Sequence, residues 1–130
     1  MGSILIVDDE KNIRETLAMC IHSLGHTVET AANAETALGD IERQDFDLVM
    51  SDVRMEGLGG FGLLRQLRER QRDTPVVLMT AHATAAQIAE AMSLGAYEYL
   101  TKPFSPDDVR LVINHVPDVR TLQWSETLPE

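Results

Sequence analysis

Five side chains able to do phosphate chemistry stand just after short apolar runs in this 130-residue chain. Asp8 and Asp9 follow Ile4–Val7, Asp52 follows Leu48–Met50, Thr80 follows Val76–Met79, and Lys102 follows Tyr97–Leu100. Clustered carboxylates repel one another, so such a group needs a cation or a raised pKa on one member. An all-oxygen set without histidine or cysteine suits a hard ion, and Mg²⁺ keeps waters while leaving room for a phosphate. With the metal on Asp8 and Asp9, Asp52 is free to attack a phosphoryl group and form an aspartyl phosphate. Mg²⁺, the Lys102 ammonium and the Thr80 hydroxyl would balance the charge spread over the transferring oxygens. Each residue alone has a plainer reading: a helix cap, a turn former, a strand end, a solvated surface charge. Their placement at successive run ends favours a shared site.

The elements that must position them alternate between strand and helix. Ile4–Val7 is a continuous β-branched and leucine run, the pattern of a strand buried on both faces. Ile13, Leu17, Cys20, Ile21 and Leu24 then form one helical stripe that Gly25 stops. A weak strand follows over Thr27–Thr30, and Asn33 caps a helix carrying Ala34, Ala37, Leu38 and Ile41. Leu48–Met50 is the third strand. A glycine-rich loop, Gly57-Leu58-Gly59-Gly60, leads into a helix with Phe61, Leu64 and Leu67 inward, whose Arg65 can pair with Glu69. Val76–Met79 is the fourth strand. Thr84 with Gln87 predicts a capping box for the fourth helix, which Gly95 ends. Tyr97–Leu100 is the fifth strand, and Ser105-Pro106 opens a last helix that Pro117 stops. Five such units imply a parallel sheet covered by helices on both faces, with ligands bound at the carboxyl ends of the strands.

Four ordered motifs carry a family resemblance. Ile4-Leu-Ile-Val-Asp8-Asp9-Glu10, Asp52-Val-Arg-Met55, Thr80-Ala81-His82 and Tyr99-Leu-Thr-Lys102-Pro103-Phe104 resemble receiver domains of two-component response regulators. The nearest likeness is to receivers of nitrogen-regulation-type, sigma-54-dependent transcription activators. The resemblance implies a flavodoxin-like doubly wound (βα)5 fold with strand order 2-1-3-4-5. It implies that Asp52 accepts a phosphoryl group from a sensor histidine kinase, and that Asp8, Asp9, Asp52 and the Arg54 backbone carbonyl hold Mg²⁺. Lys102 would pair with a phosphoryl oxygen, ahead of a cis Lys102–Pro103 bond. Thr80 and Tyr99 would be the switch pair, and Arg54, Ala81 and His82 would flank the phosphate. Phosphorylation would then remodel the face built by the fourth helix, fifth strand and fifth helix, and so control an output such as transcription. Two departures stand out: Glu56 where many relatives carry proline, and Gly59 where an acidic residue is common.

The rest of the chain bounds this reading. A net charge of −10 disfavours direct nucleic-acid binding, which needs a basic footprint. No run is long enough for a membrane span, and no leader pattern opens the chain, so a cytoplasmic address is expected. One cysteine excludes a disulfide framework, and Cys20 reads as a small buried hydrophobe. Residues 1–117 read as the receiver and 118–130, with a lone Trp124, as a tail or linker. In the family, output ATPase and DNA-binding domains follow such a receiver in a longer chain, and phosphorylation is linked to homodimer formation. The chemistry expected is limited to self-phosphorylation and self-dephosphorylation. Two rivals are an aspartyl-phosphate phosphohydrolase and a phosphorylation-independent pseudoreceiver. The haloacid-dehalogenase version of the first needs a second Asp two residues after the nucleophile, which Asp8-Asp9-Glu10-Lys11 lacks.

Overall fold

The computed structural model describes residues 2–116. In chain order the elements are β1 (Ser3–Val7), α1 (Lys11–Ser23), β2 (Thr27–Ala31), α2 (Ala34–Arg43), β3 (Leu48–Asp52), α3 (Gly59–Glu69), β4 (Val76–Thr80), α4 (Ala85–Ser93), β5 (Glu98–Thr101) and α5 (Pro106–His115). The strands form one parallel sheet in the order β2-β1-β3-β4-β5, the flavodoxin-like arrangement.

Period-two alternation along the central strands divides the interior into two cores. Leu5, Val7, Val49 and Leu78 face one core with α2 and α3, to which α4 adds Ala91. Ile4, Ile6, Leu48, Met50, Val77 and Met79 face the other, covered by α1 and α5. Burying each such side chain stabilises the fold by about 1.5–3 kcal/mol, so the three strands buried on both faces dominate the energetics. Edge strand β2 buries only Ala31 fully, which explains its weak sequence signal. Because every strand is parallel, Val7, Asp52, Thr80 and Thr101 all end at one edge of the sheet. The register sets Val7 beside Ser51, Asp52 beside Met79 and Thr80 beside Thr101.

Several local expectations hold. Gly25 and Gly95 end α1 and α4 with φ of 99° and 93°, the left-handed region that favours glycine. Asn33 caps α2 by accepting from the Thr36 N–H at 2.7 Å.

Others are corrected. The fifth strand runs over Glu98–Thr101, one residue later than the Tyr97–Leu100 run, and Tyr99 lies on it as expected. At α4 only half of the capping box forms: Thr84 accepts from the Gln87 N–H, while the buried Gln87 Oε1 has no partner. The complete box is at α5, between Ser105 and Asp108. The glycine-rich stretch is not all loop, because α3 begins at Gly59. A Cβ on Gly60 would lie 2.5 Å from the Asp52 carbonyl oxygen, so this turn packs directly under β3. Arg65 pairs not with Glu69 but with Glu90 on α4, at 2.8 Å. Cys20 is half-buried rather than enclosed, and burial pushes its thiol up against the opposing effect of Arg110. The expected stop at Pro117 and the lone Trp124 lie outside the described residues.

Candidate functional site

The strand ends bring the predicted residues together. One carboxylate oxygen from each of Asp8, Asp9 and Asp52 lies within 4.8 Å of the others. Asp8 is fully buried, Asp52 is 7% exposed, and Asp9 is open to solvent. Asp8 is not a helix cap. Its side chain accepts from the Glu10 N–H at 2.9 Å, and its carbonyl accepts from the Arg14 guanidinium at 2.8 Å. These contacts lock the turn between β1 and α1. Lys102 reaches in from the end of β5, with Nζ 3.1 Å from Asp8 Oδ2 and 3.3 Å from Asp52 Oδ1. Its own N–H donates to the Thr80 carbonyl at 2.7 Å, and the Lys102–Pro103 bond is cis.

The electrostatics are unbalanced. One ammonium faces three carboxylates, with Glu10 a further 3.9 Å contact. Burial raises the Asp52 pKa and Asp8 raises it further, while Lys102 opposes both. Burial alone would lower the Lys102 pKa, but the Asp8 and Asp52 carboxylates outweigh it and hold the ammonium above its usual range. A buried anion with a raised pKa beside two more carboxylates is the environment that a hard divalent cation relieves. The oxygen-only donor set therefore fits Mg²⁺.

Around this centre the structure separates buried from open positions. Thr80 is buried, and its hydroxyl accepts from the His82 N–H at 3.1 Å. Arg54, Ala81 and His82 are exposed on the rim. An apolar groove of about 520 Å³ adjoins the ammonium side, walled by Ile13, Leu17, Pro103, Phe104 and Val109.

Residues 4–114 match the response regulator receiver domain model. The chain belongs to that family. The receiver is 40% identical over 121 residues to the alginate biosynthesis transcriptional regulatory protein AlgB of Pseudomonas aeruginosa, covering 93% of this chain and 27% of that protein. It is 36% identical over 107 residues to the DNA-binding transcriptional regulator NtrC of Escherichia coli, covering 82% of this chain and 23% of that protein. Thus the chain spans about a quarter of the length of these curated relatives. Among solved structures, the chemotaxis protein CheY4 of Vibrio cholerae superposes with a TM-score of 0.85 at 30% identity, covering 89% of this chain and 98% of that one. The receiver domain of NtrX from Brucella abortus gives 0.82 at 33% identity, covering 88% and 98%. Phosphorylation on an aspartate is the general mechanism of this family.

Tyr99 of the receiver packs part-buried against the α2–α3 core. Its hydroxyl is buried and has no hydrogen-bond partner; burial raises its pKa and the neighbouring Thr80 side chain opposes that shift. Two contacts at the site were not legible from residue type. Arg14 anchors the Asp8 carbonyl from the first turn of α1, and Glu35 on α2 accepts from the Leu58 N–H at 3.3 Å. Neither lies in a motif, and only the packing of α1 and α2 brings them there.

Proposed function

We propose that the receiver takes a phosphoryl group from a histidine kinase onto Asp52 and uses it to switch the face formed by α4, β5 and α5. The observation that carries this reading is the buried Asp52 carboxylate, 3.3 Å from Lys102 and grouped with Asp8 and Asp9 at the carboxyl edge of the sheet. Asp8, Asp9, Asp52 and the Arg54 carbonyl would hold Mg²⁺, which when bound neutralises charge around the phosphoryl oxygens. An Asp52 carboxylate oxygen attacks phosphorus, the bond from phosphorus to the donor imidazole nitrogen breaks, and the imidazole keeps the electron pair. Lys102 pairs with a phosphoryl oxygen in place of its present contact with Asp52. Water later attacks the same phosphorus, the bond to the Asp52 oxygen breaks, and inorganic phosphate leaves with the carboxylate restored.

The new phosphoryl oxygens are acceptors beside the Thr80 hydroxyl, which accepts from the His82 N–H. Thr80 donates to one of them, and Tyr99, whose hydroxyl is unsatisfied, repacks toward the vacated space. α4 is suited to follow, since Ala91 is its only buried residue. Arg54, Ala81 and His82, open at the rim, set water access and hence the lifetime of the phosphate. Residues 1–117 form the receiver and 118–130 a tail or linker. The output is transcription through ATPase and DNA-binding domains of a longer chain, with a phosphorylation-linked homodimer. The setting is cytoplasmic, and no helix of the described residues is long and apolar enough to cross a membrane.

Incubation with Mg²⁺ and acetyl phosphate, read by intact-protein mass, tests this. One added phosphoryl group that decays over time, and is missing in Asp52→Asn, is expected. No added group would favour a pseudoreceiver, and rapid turnover of unrelated phosphate esters would favour a phosphohydrolase.

A further inference from the structure

We propose that Glu35 is a positioning residue, clamping the turn after β3 so that the Arg54 carbonyl is held ready for the metal. This rests on the reading that Asp8, Asp9, Asp52 and the Arg54 carbonyl bind Mg²⁺. Glu35 sits in the first turn of α2, and its carboxylate accepts from the Leu58 N–H at 3.3 Å, across 23 residues of chain. The neighbouring Gly57 leaves open the space that this carboxylate occupies. Gly57 has φ of 82°, and a Cβ there would lie 2.6 Å from Glu35 Oε2. The positive φ favours glycine here, and without a Cβ the Glu35 carboxylate can sit close over the turn.

The far end of the turn is fixed separately. The Gly60 N–H donates to the Val53 carbonyl at 3.0 Å, with no room for a side chain against Asp52. Arg54 lies between these two fastenings, at an exposed position with no regular structure of its own. Asp9, Glu35, Glu56 and Gly57 line one cavity of about 470 Å³, so the clamp is on the Asp9 side of the metal site. Two glycines next to the turn make its ordering costly in entropy. Without Glu35 that cost falls on metal binding, and affinity drops by the fraction of time that the turn is correctly placed. Charge at Glu35 is a separate effect, and it is screened because the contact is exposed.

The test is Mg²⁺ titration of the whole chain by calorimetry at fixed ionic strength, for wild type, Glu35→Gln, Glu35→Ala and Asp9→Asn. Amide hydrogen exchange over residues 53–60 is measured in parallel without metal. Glu35→Ala is expected to weaken Mg²⁺ by about three- to tenfold, the worth of one hydrogen bond, and to speed exchange at Leu58. Glu35→Gln keeps an acceptor and is expected to stay within about twofold of wild type. Unchanged affinity and exchange in Glu35→Ala would overturn the clamp while leaving the metal site standing. Equal weakening in both variants without faster exchange would also overturn it, in favour of long-range charge. A wild type that binds no Mg²⁺, or that binds equally in Asp9→Asn, would remove the metal-site reading and the clamp with it.

Discussion

The two ends of the sheet use buried polar groups in opposite ways. At the amino-terminal edge, His26 Nδ1 accepts from the Gly2 N–H at 3.0 Å and Asp47 Oδ2 accepts from the Ser3 N–H at 2.8 Å. Backbone bonds from Thr27 to Gly2 and from Asp47 to Ser3 close the same edge. These side chains stitch strands, and burial lowers the His26 pKa. At the carboxyl edge, three carboxylates crowd one ammonium, and Asp52 is pushed toward protonation. One edge joins strands through side-chain acceptors, while the other holds three carboxylates against one ammonium.

Exchanging a residue at each edge should therefore separate stability from chemistry. The largest effect is at Asp52. Asp52→Asn should abolish phosphorylation, yet melt a few degrees higher at neutral pH without metal, because it removes a buried and repelled anion. The sign follows from the raised folded pKa: ionised Asp52 costs stability above the carboxylate range, and the cost fades as pH falls through it. Melting curves from neutral to acid pH should thus converge for the two proteins. His26→Ala should do the reverse, losing roughly 2–4 kcal/mol in denaturant titrations from its cavity and lost hydrogen bond. Its phosphorylation rate with acetyl phosphate should stay within about twofold of wild type, since chemistry and this edge are uncoupled for distant sites. Loss of phosphorylation in a folded His26→Ala protein would break the contrast.

Smaller effects sharpen it. Since the folded His26 pKa is lowered, its contribution is complete above the ordinary value of 6.5 and is lost as pH falls through the lowered one. Chemical denaturation across that range should show a loss below 6.5 that His26→Gln flattens. At the helix caps, Ser105→Ala should cost about 1 kcal/mol in denaturant titration, and Thr84→Ala less, because its reciprocal bond is missing. An equal cost at both would mean that the second bond of the box contributes nothing.

The grouping at the carboxyl edge was legible in sequence because its polar residues follow directly on buried apolar strands. Ile4–Val7 announces Asp8, and Val76–Met79 announces Thr80, since a run buried on both faces leaves few alternatives. The central strands and helix-ending glycines were readable for the same local reasons. His26 and Asp47 were not, because each lies outside any stripe and gains its role only when the first strand docks between β2 and β3. The same holds for Arg65, which has a plausible partner four residues on yet reaches α4 instead. Local spacing shows which pairs can form, whereas helix packing decides which do. Strand order likewise was a family expectation, not a consequence of the apolar runs.

The central claim is that Asp52 carries the acyl phosphate. The most direct measurement treats the chain with Mg²⁺ and acetyl phosphate, reduces it with borohydride, and maps the peptides by mass spectrometry. Borohydride converts an aspartyl phosphate to homoserine, and the account predicts homoserine at position 52 alone. Homoserine at Asp8 or Asp9, or none in a chain that has gained a phosphoryl group, would contradict it.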